Sequence, residues 1–235
     1  MIVIGIDTAT RCGGVSMLKD DEVMASLILN IKKTHSERLL RDLDGLMKEC
    51  GLGMEDVDGF AVSIGPGSFT GVRIGLACSK GLACSAGKPL VGVSTLKALA
   101  LRAAQPGILI CPVIDARRSE IFGAAFRFET EGVEPEEVLA GRAEPLEAFL
   151  NRLSEPALFC GDGSLRFRRE IMEKAGRKAR FAAANRNLPS ALEVAILGKI
   201  RLLRGECDDP ATLVPLYLRQ HDARPPRNPG AQVPS

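Results

Sequence analysis

The first hundred residues alternate between short apolar runs and helical segments, and this alternation limits the chain to the α/β class. Three apolar, β-branched runs come first, at 2–7, 13–18 and 22–30. The segments after them alternate between helix and strand, at about 39–50, 59–64, 69–86, 90–94 and 95–104. The order βββ-α-β-α-β-α predicts a mixed sheet, because hairpins supply antiparallel strands and crossover helices supply parallel ones.

The composition is that of an ordinary globular protein and excludes several classes. Of 235 residues, 46% are hydrophobic, and 31 basic against 29 acidic residues give a net charge of +2, too balanced for a stand-alone nucleic-acid-binding protein. Aromatic residues make up only 4%, so a base-stacking platform is not expected. No apolar run is long enough to span a membrane, and seven cysteines without a C-x-x-C pair are typical of a reduced, cytoplasmic protein.

Turn-forming residues divide the chain into four parts. Gln105-Pro106-Gly107 marks a boundary between a first lobe, residues 1–105, and a smaller second lobe, residues 106–188. Residues 189–221 are expected to form a helix and a closing segment that pack back on the lobes. The proline-rich residues 222–235 are expected to be disordered. No internal repeat is evident.

Two turns of the first lobe are candidates for contact with a nucleotide. Asp7, Thr8 and Thr10 follow the first strand, where a carboxylate can hold Mg²⁺ through water while hydroxyls meet phosphate. Gly67 and Ser68 belong to a Gly-Pro-Gly turn before a helix, whose free amides can bind an anion. In both places the alternative is a turn that is held by its own hydrogen bonds.

The helix after this turn carries small residues at every fourth position: Gly71, Gly75, Ser79 and Ala83. An exposed glycine costs about 1 kcal/mol relative to alanine inside a helix, so some other backbone is expected to approach this face closely. That backbone belongs to a partner protein, to the chain's own first helix or sheet, or to both.

The chain lacks the residue patterns of a catalytic metal or nucleophile site. It has two histidines, His35 and His221, and no H-E-x-x-H, C-x-x-C or G-x-S-x-G pattern. Asp115, Arg117 and Arg118 end an apolar run and form a candidate polar cluster, although a salt-bridged turn is the favoured interpretation. Residues 166–204 contain eleven basic against three acidic residues, which indicates either a solvated face or a surface that meets phosphate.

Five segments together resemble the TsaB (YeaZ) family of bacterial tRNA threonylcarbamoyladenosine biosynthesis proteins. They are 7–10 (DTAT), 34–40 (THSERLL), 63–76 (SIGPGSFTGVRIGL), 89–94 (PLVGVS) and 215–219 (PLYLR). The match is strong over about the first hundred residues and loose from 106 to 190. The long Gly-Pro-Gly segment is its most specific part.

The resemblance implies an α/β fold with two lobes of the actin-like (ASKHA) type, in which mixed sheets are flanked by helices and the second lobe is reduced. It implies a non-catalytic scaffold that dimerises with the catalytic paralogue TsaD, in a complex that contains TsaE and acts on tRNA. TsaD-like proteins carry two metal-binding histidines where this chain has Thr95 and Leu99, so no metal is expected.

The resemblance also implies a partner surface on the first two helices, which forms a homodimer when TsaD is missing. The expected contacts are His35, Leu39, Leu43, Gly71, Gly75, Ser79 and Ala83. ATP or ADP with Mg²⁺ is expected at or near this surface, without firm binding. The alternative function is an autonomous ATPase or phosphotransferase of the actin-like superfamily, and a metal-dependent protease is the weakest interpretation.

Overall fold

A computed structural model describes residues 1–31, 35–129 and 134–219, which form two lobes, each built on a five-stranded sheet. The predicted two-lobed α/β architecture is confirmed. The first half contains β1 (Ile2–Asp7), β2 (Cys12–Lys19), β3 (Glu22–Asn30), α1 (Leu39–Glu49), β4 (Gly59–Gly65), α2 (Phe69–Ala86), β5 (Leu90–Ser94) and α3 (Thr95–Arg102). The second half contains β6 (Leu109–Arg117), β7 (Glu120–Arg127), β8 (Glu136–Pro145), α4 (Leu146–Asn151), β9 (Ala157–Cys160), α5 (Asp162–Arg166), α6 (Arg168–Ala175), β10 (Ala179–Phe181) and α7 (Ala191–Leu203).

The two sheets share one topology, an internal repeat that the sequence did not reveal. Their strand orders are β3-β2-β1-β4-β5 and β8-β7-β6-β9-β10. In each sheet the first three strands are antiparallel neighbours, and the last two run parallel to the first. The two sheets have the same number of strands, so the expected reduction of the second lobe does not concern its sheet. It holds for the helices, since α4, α5 and α6 have six, five and eight residues, against eleven and eighteen in α1 and α2.

The ends of α1 and α2 are set by local sequence. In the sequence, Thr34 and Glu37 have the spacing of a capping box that would start α1. Thr34 lies outside the described residues; 35–37 form a short 3-10 helix, and α1 begins only at Leu39. Gly51, with φ 64°, lies just beyond the end of α1, where a left-handed glycine is typical of a helix end. The Ser68 hydroxyl accepts a hydrogen bond from the Gly71 amide and caps α2, and Gly87 ends that helix in the left-handed conformation.

Two helices fill the space between the sheets, and each packs on the sheet of the other half of the chain. α7 crosses β1, β2 and β4, whereas α3 packs on β6 and β7 as well as on its own lobe. α7 approaches closely, since a Cβ on Gly5 would lie 2.0 Å from the Ala191 carbonyl oxygen. Arg102 of α3 and Glu193 of α7 form a largely buried ion pair at 3.1 Å. α3 and α7 thus hold the two lobes together, because each contacts the sheet of the other half of the chain.

Residues 209–219, here called the closing strap, run from the first lobe to the second. The Leu216 amide donates to the Ile64 carbonyl at 2.7 Å. At the other end the Arg219 guanidinium donates to the Ala116 carbonyl at 3.2 Å and pairs with Glu120. His221 and the predicted disordered tail, residues 222–235, lie outside the described residues.

Among the described residues, no helix combines the length and the apolar character that crossing a membrane requires. The cysteines are free. Cys12, Cys111 and Cys160 are buried, while Cys84 and Cys207 are exposed.

Candidate functional site

A cleft of about 680 Å³ opens between the lobes. Three segments form its walls: the β1–β2 turn with the loop before α2, the β6–β7 turn with the start of α5, and the closing strap. Its lining residues include Thr10, Arg11, Gly67, Ser68, Phe69, Asp115, Arg117, Arg118, Asp162, Tyr217 and Arg219. The cleft therefore lies where the first hairpins of the two repeated sheets face each other.

Asp7 ends β1 and is completely buried. One of its carboxylate oxygens, Oδ1, accepts hydrogen bonds from the Ala9 amide at 2.8 Å and from the Ser63 hydroxyl at 2.7 Å. These bonds tie the β1–β2 turn to β4, the neighbouring parallel strand. Asp7 is thus a structural acceptor at the junction of two strands.

The loop before α2 lies directly on the β1–β2 turn. The Ser68 amide donates to the Ala9 carbonyl at 2.6 Å, and the Thr8 hydroxyl donates to the Gly71 carbonyl at 2.7 Å. A Cβ on Gly67 or Gly71 would lie 2.1 Å from the carbonyl oxygen of Ala9 or Thr8, respectively. Only glycine permits this approach, because any side chain would displace backbone atoms.

This packing separates the predicted nucleotide contacts into two groups. Thr10, Gly67 and Ser68 line the cleft, whereas Asp7 and Thr8 are sealed beneath the loop before α2. The Asp7 carboxylate is buried and is not part of the cleft wall, so its expected role in holding Mg²⁺ stays a prediction. Of the predicted nucleotide contacts, Thr10, Gly67 and Ser68 are therefore the ones that lie at the cleft.

The predicted partner contacts on α1 and α2 mostly face inward. Leu39 and Leu43 belong to the core of the first lobe, and the small stripe of α2 is buried against the chain's own β1 and the turn after it. A Cβ on Gly75, for example, would lie 2.3 Å from Oγ1 of Thr8. Of the two alternatives, the chain's own sheet is therefore the backbone that approaches the stripe. Of His35, only the backbone is described, in the short 3-10 helix.

The wall contributed by the second lobe is polar and open. Asp115 accepts from the Arg117 amide at 2.9 Å and pairs with Arg166, while its own amide donates to Asp162 at 3.1 Å. The salt-bridged turn favoured for the predicted polar cluster is present. Arg117 and Arg118 both adopt positive φ, 66° and 51°, and both are exposed. This conformation is uncommon for residues other than glycine.

An aromatic pair forms part of the cleft wall where the strap meets α2. The rings of Phe69 and Tyr217 stack at 5.6 Å, and Arg73 lies over Phe69 at 3.7 Å while donating to the Tyr217 hydroxyl at 2.9 Å. Sequence reasoning marked residues 215–219 only as a family signature. It gave them no place in the site, because nothing in a local pattern indicates a contact across 144 residues.

The described residues contain no group of three or more His, Cys, Asp or Glu side chains arranged to hold a metal ion. Thr95 and Leu99, at the positions of the metal-binding histidines in the resemblance, are both fully buried in α3. Near the first turn, burial raises the pKa of the Cys12 thiol to about 11, so this thiol stays protonated at neutral pH.

Comparison with known proteins places these features in one family. The family model described as "TsaD: tRNA N6-adenosine threonylcarbamoyltransferase" matches residues 22–226. The chain is 33% identical over 226 residues to the tRNA threonylcarbamoyladenosine biosynthesis protein TsaB of Bacillus subtilis, covering 95% of this chain and 96% of the relative. YeaZ from Pseudomonas aeruginosa superposes with a TM-score of 0.78 at 28% identity, over 92% of this chain and 99% of that one.

A more distant structure agrees in fold alone. The activator of the 2-hydroxyisocaproyl-CoA dehydratase from Clostridium difficile superposes with a TM-score of 0.51 at 12% identity, over 89% of this chain and 99% of that one. Its two lobes are of the actin-like kind. The chain therefore has the actin-like fold, belongs to the family described by the TsaD model and, within it, to the TsaB (YeaZ) branch.

Proposed function

We propose that the protein takes part in tRNA threonylcarbamoyladenosine biosynthesis as a non-catalytic subunit that binds the catalytic paralogue TsaD. The names of its relatives support the pathway. The residue types support the absence of its own chemistry, since Thr95 and Leu99 replace ligand histidines inside a buried helix. TsaE and tRNA complete the proposed complex, which works in the cytoplasm.

The observation that carries the proposal is the outward face of α2. Besides its buried stripe, the helix exposes a second set of small residues: Ala77, Gly81, Cys84 and Ser85. A Cβ on Gly81 would meet no atom within 4 Å, so no contact among residues 1–31, 35–129 and 134–219 explains this glycine. A glycine in a helix interior costs about 1 kcal/mol relative to alanine, and close approach of a partner helix offsets that cost.

The first helix extends this surface. Leu40 is 58% exposed on α1, and both helices share the core cluster on the same side of the first sheet. We call the exposed residues of α1 and α2, centred on Leu40, Ala77 and Gly81, the outer helix face. It replaces the inward-facing residues as the proposed contact with TsaD and, without TsaD, with a second copy of the chain.

The proposal is tested by reconstituting the modification with tRNA, ATP, threonine, bicarbonate and the host's other proteins, with and without this chain. Ala77→Arg should abolish both association with TsaD and the modified adenosine counted by mass spectrometry of digested tRNA. Met172→Arg is the matched control, because Met172 is exposed on α6 of the second lobe and should leave both unchanged. Product formed equally well without the chain would contradict the pathway, and intact association of Ala77→Arg would contradict the surface.

The alternative function, an autonomous magnesium-dependent ATPase or phosphotransferase, is disfavoured by the burial of Asp7 beneath the loop before α2. Turnover of ATP by the isolated chain, lost in Asp7→Asn, would reinstate it. A metal-dependent protease has no candidate ligand set among the described residues.

A further inference from the structure

We propose that the β10 edge of the second lobe binds the phosphate backbone of tRNA, an inference that rests on the proposed function, in which tRNA belongs to the complex. The surface lies on residues 174–192, here called the basic segment. This segment contains no acidic residue and five basic ones: Lys174, Arg177, Lys178, Arg180 and Arg186. The net charge of the whole chain is only +2, so positive charge is concentrated in one short stretch.

The structure separates the eleven basic residues of 166–204 by what they contact. Within the described parts of the chain, six of them form ion pairs: Arg166, Arg169, Lys174, Lys199, Arg201 and Arg204. Arg168 lies over the Phe181 ring, 4.1 Å from its centre. The remaining four are exposed and form no ion pair with any residue of 1–31, 35–129 and 134–219: Arg177, Lys178, Arg180 and Arg186.

Two carboxylates that lie beside the basic segment are engaged by other arginines. Glu155 lines a small pocket together with Lys178, but it pairs with Arg127 at 2.7 Å. Glu193 pairs at 3.1 Å with Arg102, whose guanidinium also donates to the carbonyl of Asn185. The four unpaired cations are therefore available to an anion from outside the chain.

The backbone that carries these cations is held firmly by the second sheet. The buried Asn187 side chain donates to the carbonyls of Ala182 and Ala183 at 2.8 Å and 3.1 Å, and it accepts from the Gly161 amide at 3.2 Å. The Ala182 amide donates to the Phe159 carbonyl at 2.9 Å, just past the end of β10. Because this backbone is already ordered, binding a ligand does not have to order it.

The composition of the surface favours a nucleic-acid backbone over other polyanions. Between Met172 and Leu203, all of which the structure describes, no large hydrophobic side chain is exposed. A membrane-surface segment needs apolar residues to insert, and the centre of a protein interface is depleted of charged residues. Contact with an RNA backbone needs mainly cations. Three of the four unpaired cations are arginines, whose planar guanidinium groups match the oxygens of phosphate.

The basic segment is separate from the two surfaces described above. None of its four unpaired cations lines the cleft. The segment lies at the β10 edge of the second sheet, whereas the outer helix face belongs to α1 and α2 of the first lobe. The chain can therefore contact TsaD with one lobe and tRNA with the other.

The test is fluorescence anisotropy of labelled, unmodified tRNA, titrated at several salt concentrations with the complex of this chain, TsaD and TsaE. Arg177→Ala/Arg180→Ala should weaken binding about tenfold and reduce the slope of log Kd against log salt by about 2, since each phosphate contact releases about one counterion. The matched control, Lys19→Ala/Arg142→Ala, removes the same charge at exposed positions, and Arg142 lies on β8, the opposite edge of the same sheet. It should leave the affinity and the slope unchanged.

Three results would overturn the inference. The first is unchanged tRNA affinity of Arg177→Ala/Arg180→Ala; if this variant also self-associates in light scattering, the charges only protect the open edge of β10. The second is equal weakening by the control pair, which would indicate only long-range attraction. The third is binding of polyglutamate as tightly as tRNA, which would assign the surface to an acidic protein.

Failure of this inference and failure of the proposed function give different results. All four altered side chains are exposed, so unchanged thermal unfolding shows that both variants are folded. Both variants should still co-purify with TsaD, because the altered residues lie outside the outer helix face. The proposed function fails if the wild-type chain does not bind TsaD or is not needed for product. The inference alone fails if the wild-type complex is active and the variant complex binds tRNA equally well.

Discussion

The two lobes are built on the same five-stranded topology, yet their first hairpins face the cleft in opposite ways. In the first lobe, Asp7 at the end of β1 is sealed by the loop before α2. In the second lobe, Asp115 near the end of β6 stays at the cleft wall beside exposed arginines. The same topological position thus serves as an internal joint in one lobe and as a charged surface in the other.

The glycines make the difference. In the first lobe, Gly67 and Gly71 let a loop and a helix touch the β1–β2 turn, with virtual Cβ atoms 2.1 Å from backbone oxygens. In the second lobe, Gly161, with φ 97°, brings the start of α5 against Val113, inside β6 and away from the β6–β7 turn. In the first lobe, the β1–β2 turn is therefore covered, because the glycines that follow β4 contact the turn itself. In the second lobe, the β6–β7 turn stays open, because the glycine that follows β9 contacts the middle of β6.

The largest expected effect comes from breaking the covered turn. Gly71→Ala places a Cβ against the Thr8 carbonyl, so we expect the free energy of unfolding to fall by about 3 kcal/mol. Gly81→Ala on the same helix meets open space and should stabilise the chain by about 1 kcal/mol. The free energies of unfolding of both variants are measured by urea unfolding. Equal changes in the two variants would show that the close approach of Gly71 to Thr8 does not hold the turn.

A second comparison removes the equivalent carboxylates. Asp7→Ala leaves two donors, the Ala9 amide and the Ser63 hydroxyl, without this acceptor in the core, so a loss of about 2–3 kcal/mol is expected. Asp115→Ala frees Arg117 and Arg166, whose exposed side chains can turn to water, so the loss should be about 1 kcal/mol or less. Similar losses in chemical unfolding would mean that the two lobes use these positions alike.

The strap can be weakened at its first-lobe end. Tyr217→Leu removes the ring stack on Phe69 and the hydrogen bond from Arg73, for an expected loss of about 1–2 kcal/mol. Val214→Ala, at an exposed position of the same strap, is the control and should change stability by less than about 0.5 kcal/mol. If thermal unfolding finds no difference between the two, the aromatic pair does not fasten the strap.

The smallest effect concerns an ion cluster between the halves of the chain. Lys97 of α3 and Arg204, just after α7, both donate to Glu134 of the second lobe, and these bonds lower the pKa of Glu134. A carboxylate whose folded pKa is lowered adds stability above its unfolded pKa and loses it as pH falls through the folded value. Glu134→Gln should therefore cost about 1 kcal/mol or less at neutral pH and progressively less below the ordinary pKa of glutamate. A cost that does not change with pH in urea titrations would contradict this assignment.

Much of the fold could be predicted, because the local sequence of the first half of the chain indicates where its strands and helices lie. Apolar runs predicted β1 to β5, and the Gly-Pro-Gly turn predicted that a helix, α2, follows it directly. No strand or helix was predicted between 129 and 188, because charges are frequent there and most of the elements are short. β8 has ten residues, but none of them is buried, so it shows no apolar run. β9 and β10 have only four and three residues, too few to show a period.

The site was harder to predict, because a local pattern does not show whether one face of a helix points into its own chain or towards a partner. The spacing of Gly71, Gly75, Ser79 and Ala83 correctly required a close backbone, but it could not tell a partner from the chain's own turn. Arg11 and Arg219 lie 208 positions apart and meet at one cleft only through the arrangement of the lobes. The resemblance of five sequence segments predicted the family, whereas the geometry of the cleft became known only from the contacts in the structure.

The packing of α7, a late helix of the chain, on the first sheet also has a consequence for synthesis on the ribosome. The first sheet is complete once Ser94 has emerged, but the helix that covers one of its faces begins only at Ala191. At a synthesis rate of about 5–20 residues per second, roughly 5–20 s pass between Ser94 and Ala191, and this face of the sheet stays uncovered during that time. Until then Val3, Ala61 and Val91 are open to contact with other nascent chains, so the newly made protein is most vulnerable to aggregation, and most in need of a chaperone, before its last helix arrives.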